Sequence, residues 1–128
     1  NKRRPKNTTN VAEAKEVIGD VEGRLCILAD DMIDTGGTIC SAAELLYARG
    51  AKEVWAMATH GVLSGPAVDR LNKSRISRVV LTNTLPLAPE KRIAKFEILS
   101  VAKILADALS AVFEDTSVSD LFGGENQS

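Results

Sequence analysis

Apolar residues along this chain fall into short continuous runs separated by segments with helical spacing. Leu25 to Ala29 is the first unbroken run, and from Thr38 to Arg49 it gives way to Ile39, Ala42, Ala43, Leu46 and Tyr47, the three- and four-residue spacing of one helix face. Gly50 stands directly after, where a helix end favours a residue that takes a left-handed conformation easily. The pattern then recurs. Val54 to Thr59 reads as a strand, and Gly65, Pro66 and Ala67 open a helix running to Leu71, since Pro is tolerated in the first turn. Val79 to Thr82 and Glu97 to Leu99 are two more short buried strands, and Ser100 is placed to cap a helix from Val101 to Phe113.

Strands of this length alternating with helices predict crossovers onto a parallel sheet, an α/β fold with helices on both faces. Residues 1–128 are expected to form one domain. Val11 to Ile18 is a conflict: its Ala, Glu and Lys favour a helix, while its place beside the charged leader suits an edge strand. The stretch from Gly123 to Ser128 is small and polar and is expected to form a mobile tail.

Composition narrows the functional classes. With 45% hydrophobic and 26% charged residues, the 128-residue chain has the makings of a soluble core. Sixteen Lys and Arg stand against 17 Asp and Glu, so no overall field draws the surface to nucleic acid or to an anionic membrane. Cys26 and Cys40 lie apart within apolar stretches and read as reduced thiols. One histidine, His60, and no close Cys pair leave no structural zinc site. No apolar run is long enough to span a bilayer and no signal pattern is visible, so a cytoplasmic location is expected and the glycosylation sequons at Asn7, Asn72 and Asn126 carry no weight. Because it opens on Asn1 and a charged run, the chain is expected to be part of a longer protein.

The segment from Ile27 to Thr38, Ile-Leu-Ala-Asp-Asp-Met-Ile-Asp-Thr-Gly-Gly-Thr, carries the chemistry. It joins the first strand to the first helix. Gly36 and Gly37 allow a tight turn and close approach of a ligand, while Thr35, Thr38 and the free N–H groups at the helix start can donate to phosphate oxygens. Asp30 and Asp31 arrive at the carboxyl end of a parallel strand, where open α/β sheets place their ligands. Two adjacent carboxylates there can accept from the vicinal hydroxyls of a ribose, directly or with a divalent cation. Acids and glycines each occur in ordinary turns; together they describe a sugar-phosphate site. The string lacks the Lys of a Walker A loop and is not a Rossmann glycine pattern.

Two acids, a hydrophobic pair and Asp-Thr-Gly-Gly-Thr match the signature of the type I phosphoribosyltransferase fold. The basic run Lys2-Arg3-Arg4-Pro5-Lys6 upstream narrows the match, since it resembles the flexible catalytic loop of the ribose-phosphate diphosphokinases, or PRPP synthetases. The similarity continues through Thr59-His60-Gly61-Val62-Leu63-Ser64-Gly65-Pro66, Thr82 to Leu87 and Ser117 to Phe122. It implies the C-terminal domain of a two-domain enzyme, with residues 1–10 as the flexible loop. In that family the anomeric hydroxyl of ribose 5-phosphate attacks the β-phosphorus of MgATP, giving PRPP and AMP.

By resemblance, Lys2 and Arg4 are the catalytic pair. Asp30 and Asp31 hold the ribose hydroxyls and, with Mg2+, are the candidate metal ligands; Asp34, Thr35, Gly36, Gly37 and Thr38 hold the 5-phosphate. Ser117 and Ser119 match phosphate contacts of the family's allosteric site, with a helix-capping role in a polar tail as the equal alternative, and the resemblance implies ADP and phosphate as effectors and a homo-oligomer of dimers within a hexamer. Asn1 stands where the family has an acidic residue, Lys6 to Asn10 is a longer loop than usual, and Val11 to Ile18 is read as the family's strand. His60 is read as structural. Two rivals are a phosphoribosyltransferase that consumes PRPP, against which the Lys2 to Pro5 run speaks, and a noncatalytic synthetase-associated subunit, against which the intact catalytic residues speak.

Overall fold

A computed structural model describes residues 2–3, 13–14, 17–114 and 118 of the chain. Its centre is a four-stranded parallel sheet in the order β3 (Leu25–Ile33), β4 (Glu53–Gly61), β5 (Arg78–Thr82) and β6 (Phe96–Leu99). Spatial order follows chain order. Helix α1 (Gly37–Ala48) joins the first two strands, α2 (Ala67–Lys73) the next two, and α3 (Ala102–Phe113) follows β6. A 3-10 turn at Pro89–Lys91 lies in the connection between β5 and β6. The α/β class and the parallel sheet are those the sequence predicts.

One sheet face forms the core. Val54, Ala56 and Ala58 of β4 and Val79 and Leu81 of β5 are buried against Ile39, Ala43 and Leu46 of α1 and Ala67 and Leu71 of α2. The alternating side chains point the other way, and there Leu25, Ile27, Met57 and Leu99 are exposed. Two helices therefore share one face, and burial follows the period of two along each strand.

Element boundaries track local chemistry. Helix α1 closes just before Gly50, which has φ of +88° and donates its N–H to the Tyr47 carbonyl at 3.0 Å. Ser100 precedes α3 and accepts the Ala102 N–H on Oγ at 3.2 Å, the capping role expected of it. Strand β3 runs four residues past the expected Ala29, to Ile33, because its ladder with β4 continues through Met32 opposite His60 and Ile33 opposite Gly61. At the start of the chain, β1 (Lys2–Arg3) pairs antiparallel with β2 (Glu13–Ala14), with Lys2 opposite Ala14. The strand reading of Val11 to Ile18 thus holds at Glu13–Ala14. Among the described residues no helix is long and apolar enough to cross a membrane.

Candidate functional site

The carboxyl edge of the sheet gathers the binding segment read from the sequence. Asp30 and Asp31 lie inside the last part of β3, and only Asp34, Thr35 and Gly36 separate that strand from the first residue of α1, Gly37. Strand alternation leaves Asp30 half-buried and Asp31 exposed. Each carboxylate also serves the backbone: the Asp31 N–H donates to Asp30 Oδ1 at 2.9 Å, and the Met32 N–H to Asp31 Oδ1 at 2.8 Å. Both groups are therefore held close to the chain, at the edge where parallel sheets receive ligands.

Gly36 makes the turn. Its φ of +76° lies in the left-handed region, and it is packed with Ala67 and Leu71 of α2 close by. A Cβ at Gly37 would stand 3.1 Å from Arg70 Nη1, so the small residue there leaves room for a guanidinium. Helix α1 starts at this point, and the N–H groups of its first turn have no intrahelical acceptor. They meet the positive end of the helix dipole, an anion-binding arrangement.

Neighbouring segments brace the loop from the direction of β4 and α2. The Ile33 carbonyl accepts the N–H groups of Val62 at 3.0 Å and Leu63 at 3.1 Å, and the Asp34 carbonyl accepts the Ser64 N–H at 3.0 Å. Ser64 also donates its hydroxyl to Asp34 Oδ1, and Arg70 Nη1 donates to the Thr35 carbonyl at 3.2 Å. Leu63 has φ of +51° although it is a buried leucine, a conformation that costs about 1–2 kcal/mol in a residue with a Cβ. Its carbonyl is in turn fixed by Lys91 Nζ at 3.0 Å.

Beyond the loop, His60 Nδ1 lies 2.8 Å from Thr84 Oγ1, and the hydroxyls of Thr82 and Thr84 both donate to the Thr59 carbonyl, at 2.6 and 3.1 Å. These ties hold the ends of β4 and β5 together. Cys40, on α1, is half-buried, and burial pushes its thiol above the usual range, so it stays protonated near neutral pH.

Asp30, Asp31, Asp34, Thr35, Gly36, Gly37 and Thr38 thus lie together at the strand-to-helix junction, with Asp31, Asp34 and Thr35 exposed and Gly36 buried beneath them. Lys2 lies in β1, and Arg4, Ser117 and Ser119 lie outside the described residues. The sequence did not single out Arg70, and it offered Ser64 only as part of a resemblance. A loop rich in small residues signals that something packs against it, but the partner is distant in sequence and only the fold identifies it.

The family model described as the phosphoribosyl synthetase-associated domain matches residues 2–123. Among curated proteins, the ribose-phosphate pyrophosphokinase of Streptomyces coelicolor is 57% identical over 121 residues, which cover 94% of this chain and 37% of that protein. The Bacillus subtilis protein of the same name is 53% identical over 121 residues, covering 94% and 38%. A crystal structure of phosphoribosylpyrophosphate synthetase from Mycobacterium smegmatis superposes with a TM-score of 0.75 at 50% identity, over 84% of this chain and 35% of that one. The chain spans little more than a third of the length of these relatives.

Proposed function

This chain belongs to the phosphoribosyl synthetase-associated domain family, and from that premise we propose that it is the ribose 5-phosphate-binding domain of a ribose-phosphate diphosphokinase. The observation that carries the proposal is the junction itself: two acids in the last part of β3 and the open start of α1 follow one another with five residues between Asp31 and Gly37, one suited to sugar hydroxyls and the other to a phosphate dianion.

In this reading Asp34, Thr35, Gly36, Gly37 and Thr38 hold the 5-phosphate, and Asp30 and Asp31 accept from the ribose hydroxyls. That fixes the C1 hydroxyl toward the nucleotide. Its oxygen bonds to the β-phosphorus of ATP while the bond to the α,β-bridging oxygen breaks, so that diphosphate moves as a unit, AMP departs and the hydroxyl proton is released. Such chemistry asks the protein mainly for position and for neutralisation of spreading charge. Lys2 and Arg4 are assigned the second task, for which a compact ammonium and a planar fork are suited to phosphate oxygens.

The donor set also suits magnesium. Asp30 and Asp31 offer only oxygen, and Mg2+ is commonly held by one or two carboxylates together with substrate phosphates and water. When bound there it would supply charge neutralisation. ATP is the second substrate, ADP and phosphate are the effectors, with Ser117 and Ser119 as the assigned contacts, and dimers within a hexamer are the assembly. A cytoplasmic location fits this chemistry.

The test is AMP formation from ATP and ribose 5-phosphate by the natural full-length chain that contains this sequence. Activity that requires the 5-phosphate and falls roughly a hundredfold or more in Lys2→Ala is the expected result. Full turnover in Lys2→Ala would remove the catalytic assignment, and no AMP formation by the unaltered protein would leave a noncatalytic subunit.

A further inference from the structure

Three successive carbonyls, of Ile33, Asp34 and Thr35, are claimed by the segment that links β4 to α2 and by α2 itself. Ile33 O accepts from Val62 and Leu63, Asp34 O accepts from Ser64, and Thr35 O accepts from Arg70, at distances between 3.0 and 3.2 Å. In a planar trans peptide the N–H points opposite to the C=O. Holding these three oxygens on one side therefore turns the N–H groups of Asp34, Thr35 and Gly36 toward the other side. The first-turn N–H groups of α1 follow directly in sequence.

Resting on the ribose 5-phosphate reading above, we propose that Ser64 and Arg70 are positioning residues that set the peptide planes of the 5-phosphate loop. Arg70 acts from behind. Its guanidinium meets the carbonyl side of the Thr35–Gly36 peptide and lies beside Gly37, so it orients and polarises the Gly36 N–H. Ser64 does the same for the preceding peptide and, through its hydroxyl, fixes the Asp34 carboxylate.

An independent observation singles out the same segment. Leu63, immediately before Ser64, keeps a left-handed backbone although its side chain is buried, and Gly65, immediately after, has φ of +55°. Strained backbone of this kind persists where surrounding contacts over-determine it, and it concentrates where a chain must present a group in a set direction. Here the bonds from Leu63 to Ile33 of β3, from Ser64 to Asp34 and from Lys91 to Leu63 supply those contacts. What the segment presents is Ser64.

The experiment is steady-state kinetics of the natural full-length chain, unaltered and as Ser64→Ala, Arg70→Met, Arg70→Lys and Lys73→Met. Ser64→Ala leaves the backbone N–H on the Asp34 carbonyl and removes the hydroxyl that fixes the Asp34 carboxylate, while Arg70→Met keeps the aliphatic stem and removes the donor. Lys73, on the same helix and paired with Asp69 at the surface, is the control. Loss of a charged hydrogen bond that acts on ground state and transition state alike should raise KM for ribose 5-phosphate roughly tenfold with kcat little changed. KM for ATP and the melting temperature should stay at the unaltered values, Arg70→Lys should recover part of the loss, and Lys73→Met should change nothing.

An unaltered enzyme that does not distinguish ribose 5-phosphate from ribose would overturn the reading on which the proposal rests. An enzyme that distinguishes them normally while Ser64→Ala and Arg70→Met keep its KM would overturn the proposal alone. A parallel rise in both KM values with a lowered melting temperature would also overturn it, since that is the behaviour of general support.

Discussion

Gly36 shows how much a single residue can reveal before its neighbours are known. Two adjacent glycines signal a turn, and the turn is there with φ of +76° at the first of them. In Gly36→Ala the new Cβ would find only ordinary contacts, 3.6 Å from Ala67, so the left-handed backbone sets the cost, about 1 kcal/mol of stability by urea unfolding. Glu53 offers a pH test at the same scale. Its carboxylate is held below the usual range by donation from the Ser77 hydroxyl and then the Trp55 indole, both at 2.7 Å on Oε1. With the folded value depressed, the stability it contributes is present above the ordinary glutamate pKa and disappears as pH falls through the folded value. The urea midpoints of unaltered protein and Glu53→Gln should therefore differ at neutral pH and converge in acid; a constant difference across the titration would refute the linkage. Ser64 and Arg70 were illegible at this scale, because their importance lies in which carbonyls they reach.

At the scale of elements, the four sheet strands and three main helices were legible as alternating apolar runs and helical spacing, and errors lay at boundaries. Aspartates disfavour strands, which ends the expected strand at Ala29; in the fold, pairing with β4 carries β3 on through both acids to Ile33. Residues Glu13–Ala14 likewise follow their partner, Lys2–Arg3, and not their helical propensity. The short helix α2 depends on a residue outside it. Lys95, in the segment before β6, donates to the carbonyls of Leu71 at 2.8 Å and Ser74 at 2.7 Å, and desolvation there lowers its pKa. Lys95→Met should cost about 1–2 kcal/mol by urea unfolding. Lys103→Met, which breaks only an exposed pair with Asp107, should cost less than about 0.5 kcal/mol. Equal losses would mean that Lys95 does not anchor the end of α2.

At the scale of the molecule, burial among the described residues is lopsided. One sheet face is sealed under α1 and α2, while the other exposes Leu25, Ile27, Met57 and Leu99, and α3 exposes Leu105, Leu109, Val112 and Phe113, the last at 87%. Apolar exposure on this scale favours association. Leu105→Glu with Leu109→Glu should raise the concentration at which light scattering begins while shifting unfolding by less than about 1 kcal/mol; a large loss of stability would mean that α3 packs more tightly than its exposure indicates. At this scale the sequence conveyed the α/β class and the junction of acids and phosphate loop, since both are local patterns. It did not convey that α1 and α2 pack on the same sheet face, which depends on the direction of each crossover.

Calorimetric titration of this chain with ribose 5-phosphate, alongside ribose and a variant carrying Asp31→Ala and Thr35→Ala, tests the site most directly. Saturable binding of ribose 5-phosphate that ribose does not reproduce and the variant loses is the predicted result. Equal or absent heats for the two sugars, from a chain whose circular dichroism shows the folded α/β domain, would contradict a sugar-phosphate site at the end of β3.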